Sequence, residues 1–152
     1  MAELERTRGM GEIIDVAGAH ITSPFGWTLS ELADERDDIV GLTADMGRYS
    51  DINYFRDRHP KRFFNVGMAE QNLLAVAAGL AKGGKVAYAA TYAVFITRRA
   101  YDFMAISVAH SRANVKIFAG TPGLVNGYGA THQAIEDLNM VRAIPGMVVI
   151  DP

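Results

Sequence analysis

The chain's 152 residues make one domain, and 49% hydrophobic against 21% charged residues gives enough apolar material for a proper core. Fifteen Lys and Arg against 17 Asp and Glu leave a net charge of −2, with no basic stripe carrying interleaved aromatics, which excludes a nucleic-acid footprint. The absence of cysteine excludes disulfides and thiolate zinc sites. No apolar run reaches membrane-spanning length, and MAELERTRGMGEI lacks a signal-peptide core, so a cytoplasmic protein away from any membrane is expected.

The polar opening, to about residue 8, is expected to fray, and residues 1–22 read as a partly flexible lead-in. Residues 12–20 could begin a helix, which Gly18 and Pro24 interrupt. A short amphipathic helix is predicted over 28–35, with Thr28 as N-cap and Leu29 and Leu32 facing inward. Residues 38–43, DIVGLT, read as a buried strand ending in the loop Ala44-Asp45-Met46-Gly47. Residues 49–58 are weakly helical and stop before Pro60. A strand over 62–66 leads to a helix over 69–81, which Gly83-Gly84 terminates. Residues 85–90 form a third apolar strand. Residues 92–110 have helical periodicity, with Phe95, Ala100, Phe103, Met104, Ile106 and Val108 lining an inner face. A fourth strand over 114–119 precedes a Gly-rich loop at 120–129, a short helix near 133–142, and a last strand at 147–150.

Strands that are continuous apolar runs, alternating with helices, predict an α/β fold: a mainly parallel sheet with helices on both faces. Ligands bind such sheets at the carboxyl ends of the strands. Asp45, Glu70, residues 91–95 and the Gly-rich loop all fall at those ends.

The stretch FFNVGMAEQN, residues 63–72, sets one carboxylate, Glu70, between a β-rich run and an almost wholly apolar helix. A helix apolar on every side is a buried one. A domain this small has limited interior for it, so a subunit interface is expected there. In plain structural terms Glu70 complements the positive end of that helix. In functional terms it is a carboxylate at the mouth of the interior, where unpaired ones are rare. His132 reads either as a histidine held near a helix start or as a proton donor facing a ligand. Phe95 and Tyr101 read as core residues of the long helix, or as a platform for a flat ring. The pairs Arg98-Arg99 and Lys61-Arg62 are isolated charges for the surface or for a local anion. The Gly-rich loop fits neither GxGxxG nor GxxxxGK[ST], and GxSxG is absent. His20, His59, His110 and His132 lack metal-binding spacing, so no metal site built by this chain is expected.

In order along the chain stand LTADMG, RFFNVGMAEQN, AAGLA, YAVFITRRAYD, NVKIF, GATHQAIEDL and IPGMVVIDP. Together they resemble the pyrimidine-binding domain of the transketolase family of thiamine-diphosphate enzymes, most closely the separately encoded C-terminal subunits of split transketolases. The likeness runs from about Asp38 to Pro152, and the domain it implies spans residues 23–152. It implies that Glu70 activates the cofactor by hydrogen-bonding N1′ of the aminopyrimidine, favouring the imino tautomer that deprotonates thiazolium C2. It also implies that Phe95 stacks on the pyrimidine, that Tyr101 lies beside that ring, and that Asp45 and Arg98 belong to the cofactor-binding set. His132, in GATHQ, matches a catalytic histidine facing the donor sugar.

The family's GDG signature for diphosphate and Mg²⁺ is not in this sequence. The resemblance therefore implies a partner, a diphosphate-binding N-terminal subunit carrying most of the Mg²⁺ and diphosphate contacts, in a homodimer or heterotetramer acting on sugar phosphates. The usual third domain does not follow Asp151-Pro152, which suggests a truncated chain or a short subunit, inactive alone. Three departures fall on the substrate side. Gly127 and Tyr128 replace an acidic pair, Ser23 stands where a phosphate-contacting Arg is common, and Tyr49 replaces a small hydroxyl residue. They imply cofactor activation with altered donor or acceptor specificity, such as a branched or unusual sugar phosphate. The alternatives are a deoxyxylulose-phosphate-synthase-like or 2-oxoacid-dehydrogenase beta-type subunit, or a non-catalytic assembly subunit.

Overall fold

The computed structural model describes residues 14–16, 19–21 and 24–151. Two short strands come first, β1 (Ile14–Val16) and β2 (Ala19–Ile21), paired antiparallel with Ile14 opposite Ile21. They replace the helical start expected over 12–20. Apolar residues there alternate with Asp15 and His20 at period two, and that pattern with β-branched side chains favours a hairpin. The opening to residue 8, Ser23 and Pro152 lie outside the described residues.

Helix α1 (Pro24–Glu35) begins four residues before the predicted Thr28 cap. Proline suits a first helical position because its φ is already helical and its missing N–H has no intrahelical partner there. Then come β3 (Ile39–Thr43), α2 (Asn53–Arg58), β4 (Phe63–Asn65), α3 (Glu70–Lys82) and β5 (Val86–Tyr92). The long helix predicted over 92–110 forms in pieces: α4 (Ala93–Arg99), α5 (Tyr101–Phe103) and a π-helical stretch, Met104–His110. Within that stretch Met104 and Val108 are buried while Ile106, expected inside, is 56% exposed. Strand β6 (Val115–Gly120) and helix α6 (Asp137–Arg142) complete the set.

The sheet is parallel throughout, in the order β4-β3-β5-β6. Alternation along the two central strands builds both layers. Ile39 of β3 with Val86 and Ala90 of β5 face α1 and α2, meeting Leu29, Ala33, Ile52 and Phe55. Val40 and Leu42 with Ala87 and Ala89 face the other way, onto Leu73, Leu74 and Ala77 of α3, Ile96 of α4 and Met104. Small alanines on β5 let α3 approach the sheet closely.

Residues 147–150, predicted as a strand, pair with no strand among the described residues; Val148 and Ile150 are 80% and 81% exposed. Apolar β-type residues form a strand only where a neighbour accepts their hydrogen bonds. Helix α3 buries Leu73, Leu74, Ala77 and Ala78 but leaves Gly79 exposed and Ala75, Val76 and Leu80 half-buried. The described residues do not enclose it on every side. No helix among the described residues is long and apolar enough to cross a membrane.

The Lys61-Arg62 pair lies in a basic cleft of about 290 Å³ with Arg58, His59 and Pro60. Most of its charge is taken up structurally. Arg58 pairs with Asp34, and Arg62 donates to the carbonyls of Arg36 and Ala33 at 2.7 and 2.8 Å, closing the C-terminal end of α1. A cation there also meets the negative helix end. Arg62→Ala is expected to cost about 1 kcal/mol and lower the melting temperature by about 2–4 °C, read by thermal denaturation.

Candidate active site

Because the strands are parallel, Thr43, Asn65, Tyr92 and Gly120 end β3, β4, β5 and β6 at one edge of the sheet. Helices α3 and α4 both start at that edge. Glu70 is the first residue of α3 and only 2% exposed, and Phe95 is the third residue of α4. Burying a carboxylate costs several kcal/mol unless it is compensated. Arg99 compensates it: its Nη1 lies 3.1 Å from Glu70 Oε1 and 3.2 Å from Oε2. The same guanidinium lies over the Phe95 ring, 4.1 Å from its centroid. Phe95 and Arg99 are one helical turn apart, so α4 itself brings them together.

Around Phe95 the edge is aromatic. His132, in a 3₁₀ turn at Ala130–His132, meets the Phe95 ring edge-on at 5.2 Å, and Tyr92 packs beside it at 5.9 Å. Tyr128 packs against His132 at 5.3 Å, and Tyr49 against Tyr92 at 6.1 Å. Tyr49 and Tyr128, which the sequence reading takes as departures from the family pattern, therefore border the site. Burial pushes the Tyr92 phenol above its ordinary range, against a smaller opposing effect of Asn126. The Gly-rich loop is pinned by paired backbone bonds between Gly123 and Ala134, 2.8 and 2.9 Å.

Asp45 sits in the exposed loop after β3 with φ +58°, a left-handed conformation that Asp tolerates. Asn65, at the end of β4, holds it there. Its Oδ1 accepts from the Asp45 N–H at 2.9 Å and the Gly67 N–H at 3.1 Å, while its Nδ2 donates to Asp45 Oδ1 at 3.1 Å.

Glu70, Phe95 and His132 thus converge, with Asp45 on the neighbouring strand end. Tyr101 lies half-buried against the apolar cluster that covers α3. Arg98 is committed elsewhere, to Glu136 beside α6. The sequence reads Arg99 only as a surface charge or a local anion contact, and it gives no individual role to Asn65 or Tyr92. The one available signal for Arg99 was its four-residue spacing from Phe95.

The Arg98 hydrogen bond holds the Glu136 carboxyl below the usual carboxylate range, and the Arg98 guanidinium above its own. A depressed carboxylate stabilises the fold above its unfolded value, about 4.3, and that contribution is lost as pH falls through the lower folded value. The protection of α6 amides, taken relative to intrinsic exchange at the same pH, is therefore expected to fall below about pH 4, modestly because the pair is exposed. In Glu136→Gln that pH dependence should disappear.

A parallel α/β sheet with a buried carboxylate and an aromatic face at its carboxyl edge is the architecture of a cofactor-binding domain. The family model described as transketolase, pyrimidine binding domain, matches residues 18–152, and the chain belongs to that family. It is 46% identical over 154 residues to a protein of Sinorhizobium fredii named as a transketolase family member, covering 99% of this chain and 45% of the relative. It is 43% identical over 129 residues to a protein of Methanocaldococcus jannaschii named as a transketolase C-terminal section, covering 84% of this chain and 41% of the relative. Among solved structures, a split-gene transketolase described as an inactive β4 tetramer superposes with a TM-score of 0.68 at 45% identity, over 79% of this chain and 38% of that one. The chain spans less than half the length of these relatives.

Proposed function

We propose that this chain is the pyrimidine-binding part of a split, thiamine-diphosphate-dependent transketolase-like transferase that moves a two-carbon ketol unit between sugar phosphates. One observation carries the reading: a buried carboxylate, Glu70, and an aromatic face, Phe95, are bridged by a single flat, nitrogen-bearing group. The Arg99 guanidinium donates to the carboxylate and lies over the ring, the place an aminopyrimidine would take. The residues present fit such a group.

Glu70 would hold the proton shared with a ring nitrogen, and its position at the start of a packed helix keeps that oxygen from wandering. Phe95 would fix the plane of the ring. Asp45 and Tyr101 complete the expected cofactor contacts, and Arg98 joins them once its pair with Glu136 opens. His132, held edge-on to Phe95, would face the donor sugar and pass a proton at its ring nitrogen. Thiamine diphosphate, when bound, supplies the carbon nucleophile, while the chain supplies orientation and proton control.

Diphosphate and Mg²⁺ fall to a partner, the N-terminal subunit, in a homodimer or heterotetramer, and the chain alone is inactive. Two findings support a partner: relatives named as a C-terminal section and as a split-gene enzyme, and the unenclosed face of α3. The same reading puts the protein in the cytoplasm with its sugar phosphates. Tyr49 and Tyr128 at the rim favour a donor or acceptor other than the common ones.

The test is reconstitution. This chain is mixed with the candidate partner, thiamine diphosphate and Mg²⁺, and proton–deuterium exchange at cofactor C2 is followed by NMR. Fast exchange that needs both chains supports the reading. A stable complex without acceleration over free cofactor overturns it and leaves a non-catalytic assembly subunit.

A further inference from the structure

We infer that Arg99 is a placeholder: it occupies the ring's position between Glu70 and Phe95 in the ligand-free chain and is displaced when a flat ring binds. This rests on the cofactor reading above and concerns a residue which that reading leaves without a role.

The geometry makes the two occupants exclusive. One Arg99 nitrogen lies within 3.2 Å of both Glu70 oxygens, so the guanidinium covers the carboxylate's open side. Its carbon is 4.1 Å from the Phe95 centroid, a close cation–π contact that leaves no room for a second ring on that face. Tyr92 and His132 already border the same ring at 5.9 and 5.2 Å. An incoming ring must therefore take the guanidinium's place.

The two partners differ in freedom to move. Glu70 is 2% exposed in the first turn of a packed helix, whereas the Arg99 side chain is 48% exposed at the last residue of α4. A long, flexible side chain with that exposure reaches water by rotating its own torsions, and the guanidinium hydrates there at little cost. Meanwhile the resident cation keeps a buried carboxylate compensated, so the empty site stays folded and its aromatic face stays covered. In the ligand-free chain Arg98 is paired with Glu136, so Arg99 alone of the two compensates Glu70.

The experiment uses the assembled complex, with this chain ¹⁵N-labelled at arginine and Arg99→Lys used to assign the Arg99 Nε–H resonance. In the ligand-free complex that resonance should be shifted by the Phe95 ring current. Saturating thiamine diphosphate with Mg²⁺ should move it to a solvent-exposed position. By titration calorimetry, Arg99→Met should bind thiamine diphosphate about tenfold more tightly than wild type, because no competitor remains, a factor equal to about 1.4 kcal/mol. Arg99→Lys, which keeps charge but not the flat stacking surface, should fall between. Cofactor that binds while the Arg99 resonance stays put, or binds more weakly to Arg99→Met, overturns the placeholder alone. Cofactor that binds neither form overturns the functional reading and the placeholder with it. Since the resonance is read on the wild-type chain, the proposal stays testable even where Arg99→Met folds poorly.

Discussion

In the reconstituted complex, Glu70→Ala is expected to slow exchange at cofactor C2 on the order of 10³-fold while leaving the fold intact. The large kinetic effect follows from geometry. Glu70 is the buried carboxylate at the edge where α3 and α4 begin, and no other residue among the described ones hydrogen-bonds it except Arg99. With it gone, nothing on this chain's side remains to hold the proton shared with a ring nitrogen. The small stability effect follows from burial. Removing one member of a buried pair is costly when the other charge is left buried, but Arg99 is half-exposed and hydrates once freed. A melting shift corresponding to about 1 kcal/mol or less, the range of an exposed pair, is expected. Glu70→Gln sharpens the test, since it keeps size and hydrogen-bonding reach but cannot carry the proton. Its exchange rate should fall nearly as far as that of Glu70→Ala, with cofactor affinity little changed. Exchange at wild-type rates in either variant would remove Glu70 from the chemistry.

The core of the fold was legible because β3 and β5 are written as unbroken apolar runs, which only a strand covered on both faces tolerates. Glu70 was legible for the complementary reason: it is the one charge where apolar sequence resumes. What escaped depended on partners distant in sequence. The apolar run at 147–150 has β-type residues but no strand beside it, and propensity cannot report that. The helix predicted to run through residue 110 breaks at Ala100, whose φ of −111° leaves the helical range, yet nothing in the sequence around Ala100 marks a break. The two arginines after Thr97 are alike in sequence. On a helix they point about 100° apart, so one meets Glu136 and the other Glu70, and only three-dimensional placement separates a surface pair from a site contact. Asn65 was in view inside RFFNVGMAEQN, but its work is to tie together two loops 20 residues apart.

Gly41→Ala is expected to damage the protein in the opposite way, through the fold and not the chemistry. Gly41 is the middle residue of β3, paired with Phe63 on one side and Tyr88 on the other. Glycine weakens a strand, so its presence in the central one needs a reason. The reason is Phe55. A Cβ added at Gly41 would lie 2.6 and 2.8 Å from the Phe55 ring carbons Cδ1 and Cε1, and 3.3 Å from Ile52 Cδ1. Phe55 and Ile52 are both fully buried under α1, so the ring has nowhere to retreat without lifting α2 from the sheet. Overpacking of this kind costs about 3 kcal/mol, which in a domain this size lowers the melting temperature by roughly 6–12 °C. Phe55→Leu alone should also destabilise, by leaving a cavity. Combined with Gly41→Ala, however, it removes the clash, so the double variant should be more stable than the sum of the single losses predicts, by about 1 kcal/mol or more in urea denaturation. Strict additivity would mean that the ring is not what forbids a side chain at residue 41. Because β3 leads directly to Asp45 and lies beside β4, which leads to Glu70, activity lost in Gly41→Ala should return at low temperature as the folded fraction recovers. Activity lost in Glu70→Ala should not, and that contrast separates damage to the edge's fold from loss of the proposed chemistry there.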